Sequence, residues 1–157
     1  MVKFYESAIA IAMRLNNLNE AVELIGHGLL VLDKVGSNEQ IVKYILTAVI
    51  CHLSRDDWVA AKSFVDNIKN KYEMTSGGSG YGQIDNLLEA YDEKDDARFK
   101  TAIKNYLTYA VDNEALKLAN KIVKSDDWLK AQQENKPVVL PPKPVSSSQV
   151  RVDVGNS

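Results

Sequence analysis

Apolar residues recur at helical spacing along most of this 157-residue chain. Val22, Ile25, Leu29 and Leu32, for example, fall on one face of a helix. Segments that alternate polar and apolar residues, as half-buried strands do, are hard to find, so the sequence predicts an all-α protein. Starts and stops at Asn, Asp, Ser and Gly place helices near residues 2–15, 18–35, 38–54, 57–73, 83–93, 96–109 and 112–133.

Three of the predicted joints between helices resemble one another. In each, a pair of Asn or Asp residues precedes a large apolar residue, and an alanine follows three residues later. The joints are Asn16-Asn17 with Leu18, Asp56-Asp57 with Trp58, and Asp95-Asp96 with Phe99, at steps of 40 and 41 residues. The large residue fills the seam between two helices, and the alanine lets them approach closely. Repeated helix pairs predict an α-solenoid that grips another protein, with a generic helical bundle as the alternative.

The composition changes abruptly after Asn135. All four prolines and three consecutive serines lie in KPVVLPPKPVSSSQVRVDVGNS, a composition typical of chain that does not pack. The sequence therefore predicts a helical repeat domain over residues 1–133 and a disordered Pro- and Ser-rich tail over residues 134–157. Within that tail, PPKP is either plain solvated chain or a polyproline ligand for an aromatic-lined groove.

A glycine-rich stretch, TSGGSGYGQ at residues 75–83, raises the question of a phosphate-binding loop. Such a loop needs a strand before it, a Lys followed by Ser or Thr, and a helix whose first amides hold the phosphates. Here the preceding segment has a helical pattern, no such Lys follows, and Asp85 would repel a phosphate from the helix start. The dinucleotide-binding pattern also lacks its strand. We therefore expect a flexible loop between two helices.

Residues that often carry chemistry are isolated in this sequence. His27 and His52 each lack a second ligand at zinc-binding spacing. Cys51 lies in the apolar segment AVICHL and is expected to be a buried thiol. The serines at 146–148 lie in the predicted tail, where no base is held beside them. We therefore expect no catalytic, cofactor-binding or metal-binding residues, and no enzyme.

The charge and hydropathy of the chain exclude two further classes of protein. A formal net charge of −2 provides no overall basic field for nucleic acid. No window approaches the roughly 20 apolar residues of a membrane span, and the first residues lack the apolar core of a secretory signal. The sequence therefore predicts a cytoplasmic protein that does not bind nucleic acid.

Acidic residues gather around one predicted helix end, in LLEAYDEKDD. Glu89, Asp92 and Glu93 are spaced i, i+3 and i+4, so they share one helix face. Asp95 and Asp96 follow in the next turn. The cluster is either a solvated surface or a docking patch that steers a basic partner.

Several segments together resemble the soluble NSF attachment proteins, and within that family the gamma class most closely. The resemblance lies in AVICHLSRDDWVAAKSFVDN, in IDNLLEAYDEKDDARFKTAIKNY, and in the DN of VDNEALKLANKI, and AVELIGHGLLVL fits a preceding repeat. It is similar to the last three helical pairs of the family and covers about residues 4–124.

The resemblance implies a TPR-like α-solenoid that ends in a small helical bundle. It also implies a noncatalytic adaptor in vesicle-mediated transport, which binds SNARE complexes and recruits the ATPase NSF to disassemble them. Its association with membranes would be peripheral and through these partners. In the alpha member of the family, acidic residues in the LLEA segment contact the basic N-terminal domain of NSF, and the matching positions here are Glu89, Asp92 and Glu93.

The chain departs from the family pattern at both ends. Family members are about twice as long, so the first helix, with Phe4, Ile9, Ile11 and Met13, is expected to expose an apolar edge. Family tails end in acidic residues and, in the alpha class, a leucine, whereas this chain ends in DVGNS. The alternative function is a generic TPR-like module that binds a peptide in its groove.

Overall fold

A computed structural model describes residues 2–35, 38–71, 79–104 and 112–135. Every regular element in these four ranges is helical, which confirms the predicted all-α class. The helices are α1 Val2–Arg14, α2 Leu18–Val35, α3 Asn38–Ser54, α4 Trp58–Lys71, α5 Ser79–Asp92, α6 Asp96–Ala102, α7 Asn113–Val123 and α8 Asp126–Asn135. They fall into two units, with α1 to α7 in the first and α8 in the second.

The first unit is a stack of helix pairs. Helix α1 packs on α2, α3 on α4, and α5 on α6, while α3 also contacts α2 and α5. Each pair therefore covers the apolar face of the next, as in the predicted TPR-like solenoid. The predicted stripe on α2 lies inside this stack, where Ile25, Leu29 and Leu32 are buried.

Helix α7 crosses back over the stack and packs against both α1 and α3. These are the first helices of two successive pairs, so the face that they share is filled by the chain itself. The pattern on α7 explains the packing, because Ala115, Leu118, Ala119, Ile122 and Val123 form its buried side. Two asparagines and two lysines lie exposed on its other side: Asn113, Lys117, Asn120 and Lys121.

The three repeated joints have one backbone geometry. A residue with positive φ ends the first helix, and the side chain of the next residue accepts a hydrogen bond from the backbone N–H three positions later. The paired residues are Asn16 (φ 59°) and Asn17, Asp56 (φ 57°) and Asp57, and Lys94 (φ 53°) and Asp95. Asn and Asp tolerate positive φ better than most residues, so the first two joints can be recognised from the sequence.

The predicted register of the third joint is wrong by one helical turn. The N–H of Phe99 donates to the carbonyl of Asp95, as Ala21 donates to Asn17 and Ala61 to Asp57. Phe99 therefore occupies the position of the small alanines, and not that of Leu18 and Trp58. The residue directly after the capping residue is Leu18 in the first joint and Trp58 in the second, but Asp96 in the third. The first large apolar residue, Phe99, comes three positions later.

The glycine-rich stretch is helical from Ser79 onward. Helix α5 begins at Ser79, so the loop prediction is wrong for residues 79–82, and residues 75–78 lie outside the described residues. Lys69 of α4 anchors the first turns of α5, since its Nζ lies 2.8 Å from Asp85 and 5.6 Å from the centre of the Tyr81 ring. A side chain added at Gly82 would meet open space, so the helix runs through this glycine without strain.

Two further boundaries differ from the predictions. The helix predicted over 112–133 is broken, because α7 ends at Val123 and α8 begins at Asp126. The hydroxyl of Ser125 donates to the carbonyl of Ile122 (2.8 Å) and supplies a local alternative to the helix. Helix α6 ends at Ala102 and passes into a π-turn at residues 103–104, and the predicted residues 105–109 lie outside the described part. The predicted tail also lies outside it, apart from residues 134–135, which complete α8.

The apolar edge expected on α1 is present but narrower than predicted. Phe4 and Ile11 are 65% and 50% exposed, whereas Ile9 and Met13 are buried, so the expectation is wrong for those two. Leu15 continues the exposed stripe at 72%. Spacing explains the division, since residues 4, 11 and 15 lie on one side of the helix and residues 9 and 13 on the side that faces α2.

Candidate docking site on helices α5 and α6

The three predicted contact residues lie together at the carboxyl end of α5. Glu89 and Asp92 belong to its last turn, Glu93 follows in the joint, and all three are exposed. This end of α5 carries no basic residue in its last turn. Carboxylates here oppose the helix dipole, which favours cations at a carboxyl end, so the cluster gains nothing from its own helix.

Arg98 of α6 supplies the missing positive charge. Its Nη2 lies 2.6 Å from a carboxylate oxygen of Glu89, and its Nη1 lies 3.2 Å from one of Glu93. Its Nε donates to the side-chain oxygen of Asn86 (2.7 Å). The hydrogen bond to Glu89 raises the pKa of Arg98 further above its ordinary value. The guanidinium therefore neutralises part of the patch and fixes two of its carboxylates.

The sequence interpretation of the cluster missed Arg98, although a signal for it was present. Asp95 caps α6, and Arg98 stands three residues later, in the first turn. Because a short joint places the first turn of one helix beside the last turn of the preceding one, a residue here can reach back to α5. The site is thus a patch of mixed charge, and Asp92 is its exposed carboxylate that has no ion pair within the described residues.

The patch stands on a firmly packed part of the fold. The phenol of Tyr91 donates a hydrogen bond to Asp56 in the joint between α3 and α4. The indole N–H of Trp58 donates to the carbonyl of Leu88 (3.0 Å). The Tyr91 and Phe99 rings lie 6.1 Å apart beneath the joint. These contacts tie the carboxyl end of α5 to the preceding helix pair, so the patch is presented on a supported surface.

Cys51 and His52, two residues of types that often carry chemistry, are both buried in the fold. Burial raises the pKa of the Cys51 thiol to about 12, which keeps it protonated and unreactive, as the predicted buried thiol would be. His52 is also buried, with its ring beside Phe64 and its Nδ1 3.0 Å from Arg55. Across residues 2–35, 38–71, 79–104 and 112–135, no group of His, Cys, Asp and Glu is arranged to hold a metal ion.

None of the described helices combines the length and the apolar character needed to cross a bilayer.

Comparison with known proteins identifies the family of the chain. Searches of curated proteins and of solved structures gave no significant match. A family model described as soluble NSF attachment protein, SNAP, matches residues 3–126. That range includes helices α1 to α7 and the whole acidic patch with its arginine. The chain therefore belongs to the soluble NSF attachment protein (SNAP) family.

Proposed function

We propose that this chain is a noncatalytic adaptor in vesicle-mediated transport. It binds SNARE complexes and recruits the ATPase NSF, which disassembles them, and within the family it is of the gamma type. The observation that carries the proposal is the family match over residues 3–126. Its association with membranes is peripheral and passes through these partners.

The contact with NSF is proposed at Glu89, Asp92 and Glu93. The support is their exposure, with side chains of Glu89 and Glu93 that are 64% and 60% accessible, and their place on a well-anchored helix end. Asp92 meets a basic partner first because no ion pair has to be broken. Glu89 and Glu93 exchange Arg98 for cations of the partner. Such contacts act mainly through steering and orientation, so they weaken as salt rises.

The alternative of a peptide bound in the solenoid groove has less support. Helix α7 packs against α1 and α3, so the face where a peptide would contact these first helices is already covered. An adaptor that presents an outer acidic patch does not need that face to be open.

A binding titration with the isolated N-terminal domain of NSF tests the proposed contact. We expect affinity that falls with rising salt and is largely lost in the triple variant Glu89→Lys, Asp92→Lys, Glu93→Lys. The matched control is Glu20→Lys, Glu23→Lys, Asp33→Lys on α2, which changes the net charge equally at exposed positions. Salt-insensitive binding, or equal losses in both triple variants, would remove the site assignment.

A further inference from the structure

Positive charge is concentrated in one segment of this acidic chain. Residues 100–124 hold five lysines, at 100, 104, 117, 121 and 124, against two carboxylates. Both carboxylates are already engaged, since Asp112 caps α7 and Glu114 lies 3.8 Å from Arg14 and 3.3 Å from Lys117. The described residues 100–104 and 112–124 therefore present a basic surface on a protein whose net charge is −2.

A cleft of about 410 Å³ lies between α7 and the end of α6, and we refer to it as the α6–α7 cleft. Lysines at 100, 104 and 124 line it, together with Ile103, Leu116 and Val123. No carboxylate is among the described residues that line it. Lys100 is paired with Asp96 (2.9 Å), whereas Lys104 and Lys124 are exposed and have no ion pair within the described residues.

A second cleft, of about 370 Å³, follows the other side of α7. It shares Asn120 and Lys124 with the first and adds Arg14, Lys117 and Lys121. Lys117, Lys121 and Lys124 are spaced i, i+4 and i+7, so they form one ridge between the two clefts. The cations thus extend over a continuous surface that is wider than either cleft.

We propose that the α6–α7 cleft binds the phosphorylated headgroup of an anionic membrane lipid. Lysine ammonium groups bind phosphate as compact point charges, and Lys100, Lys104 and Lys124 bring three of them to the cleft. The volume suits a headgroup, and the apolar side chains suit the carbon framework that joins it to the lipid. The ridge on α7 adds diffuse attraction to the surrounding anionic surface.

This site is separate from the acidic patch and does not depend on the proposed contact with NSF. Basic residues grouped on one helix face are attracted to the negative surface of membranes that contain anionic lipids. An acidic segment of a partner protein would also be attracted here, but it would require contacts directed at individual carboxylates. The apolar side chains that line the cleft beside the lysines, Ile103, Leu116 and Val123, favour the lipid.

Vesicle binding by the whole chain tests the proposal. The probe is phosphatidylcholine vesicles with and without a phosphoinositide bisphosphate, compared with vesicles that carry phosphatidylserine at equal total charge. We expect preferential binding to the phosphoinositide vesicles and a loss of about tenfold or more in Lys104→Glu, Lys124→Glu. The control is Lys3→Glu, Lys34→Glu, which has the same net charge and reverses two exposed lysines elsewhere.

Soluble inositol trisphosphate distinguishes the possible sources of the phosphate. Competition by this headgroup supports recognition of the phosphates in the cleft. Binding of the soluble headgroup without any binding to vesicles overturns the membrane assignment. The proposal is also overturned by equal binding to phosphatidylserine, or by equal losses in the two double variants. Circular dichroism and thermal unfolding establish that each variant folds.

Discussion

At the scale of single residues, two glycines of α2 make a matched pair. A Cβ on Gly28 would lie 2.5 Å from the Tyr44 ring of α3, whereas a Cβ on Gly26 would meet nothing within 4 Å. We expect Gly28→Ala to lower the free energy of unfolding by about 1–3 kcal/mol through overpacking. Gly26→Ala should raise it by about 0.5–1 kcal/mol through helix propensity. Urea unfolding measures both, and equal stabilisation by the two changes would contradict the close approach of α2 and α3.

His52 gives the fold a predictable response to pH. Burial first, and the positive charge of Arg55 second, lower its pKa below the ordinary value of 6.5, with a smaller opposing effect of Asp57. A histidine held neutral in the folded state binds fewer protons than in the unfolded state, so its contribution to stability is lost as pH falls below about 6.5. Unfolding free energies at pH 7.5 and 5.5 should therefore differ less in His52→Gln than in the parent. An equal difference in His52→Gln and in the parent would count against the burial of His52.

Arg98 determines how much negative charge the acidic patch offers to a partner. Replacement by Gln removes the cation that holds Glu89 and Glu93, and it increases the negative charge offered to a basic partner. We expect the N-terminal domain of NSF to bind severalfold more tightly at low salt, while Arg98→Lys stays close to the parent. Weaker binding by a folded Arg98→Gln variant would show instead that the guanidinium orients these carboxylates for the contact.

At the scale of helices, the joints depend on their capping residues. Asp57 accepts a hydrogen bond from the N–H of Ala60 (3.0 Å) at the start of α4. We expect Asp57→Ala to cost about 1 kcal/mol of unfolding free energy and Asp57→Asn to cost much less, because Asn caps nearly as well. Thermal unfolding compares them, and equal losses would point to the charge of Asp57 and not to its cap.

The joints also show how far local sequence determines the helices. The first two were predictable to within a residue, because an asparagine or aspartate at positive φ is followed at once by a capping residue. The third was also located to within a residue, but its large apolar residue was misassigned, because Asp96 and not an apolar residue follows the capping Asp95. The break before α8 carried a usable signal, since Asp126-Asp127-Trp128 repeats Asp56-Asp57-Trp58.

At the level of the whole molecule, the sequence did not predict which distant segments pack against one another. The apolar side of α7 was readable, but its position on α1 and α3 depends on which surfaces the stack leaves uncovered. The same is true of the acidic patch. The shared face of Glu89, Asp92 and Glu93 followed from helical spacing, whereas its neutralisation by Arg98 follows from how α6 folds back on α5.

The described residues form two surfaces of opposite charge. Carboxylates dominate the joint between α5 and α6, and lysines dominate the exposed side of α7. An adaptor between an ATPase and a membrane-bound substrate needs separate surfaces for separate partners. Charge reversal at one surface should therefore leave binding at the other unchanged, as paired titrations with NSF and with lipid vesicles can measure.

An adaptor of the proposed kind links SNARE complexes to NSF, and reconstitution from purified components measures this link. An assembled SNARE complex is immobilised and incubated with NSF and a nonhydrolysable ATP analogue, with or without the chain. We predict that NSF is retained only when the chain is present, and that the Glu89→Lys, Asp92→Lys, Glu93→Lys variant binds the SNARE complex but retains little NSF. Failure of the parent chain to bind the SNARE complex, or to retain NSF once bound, would contradict the adaptor function.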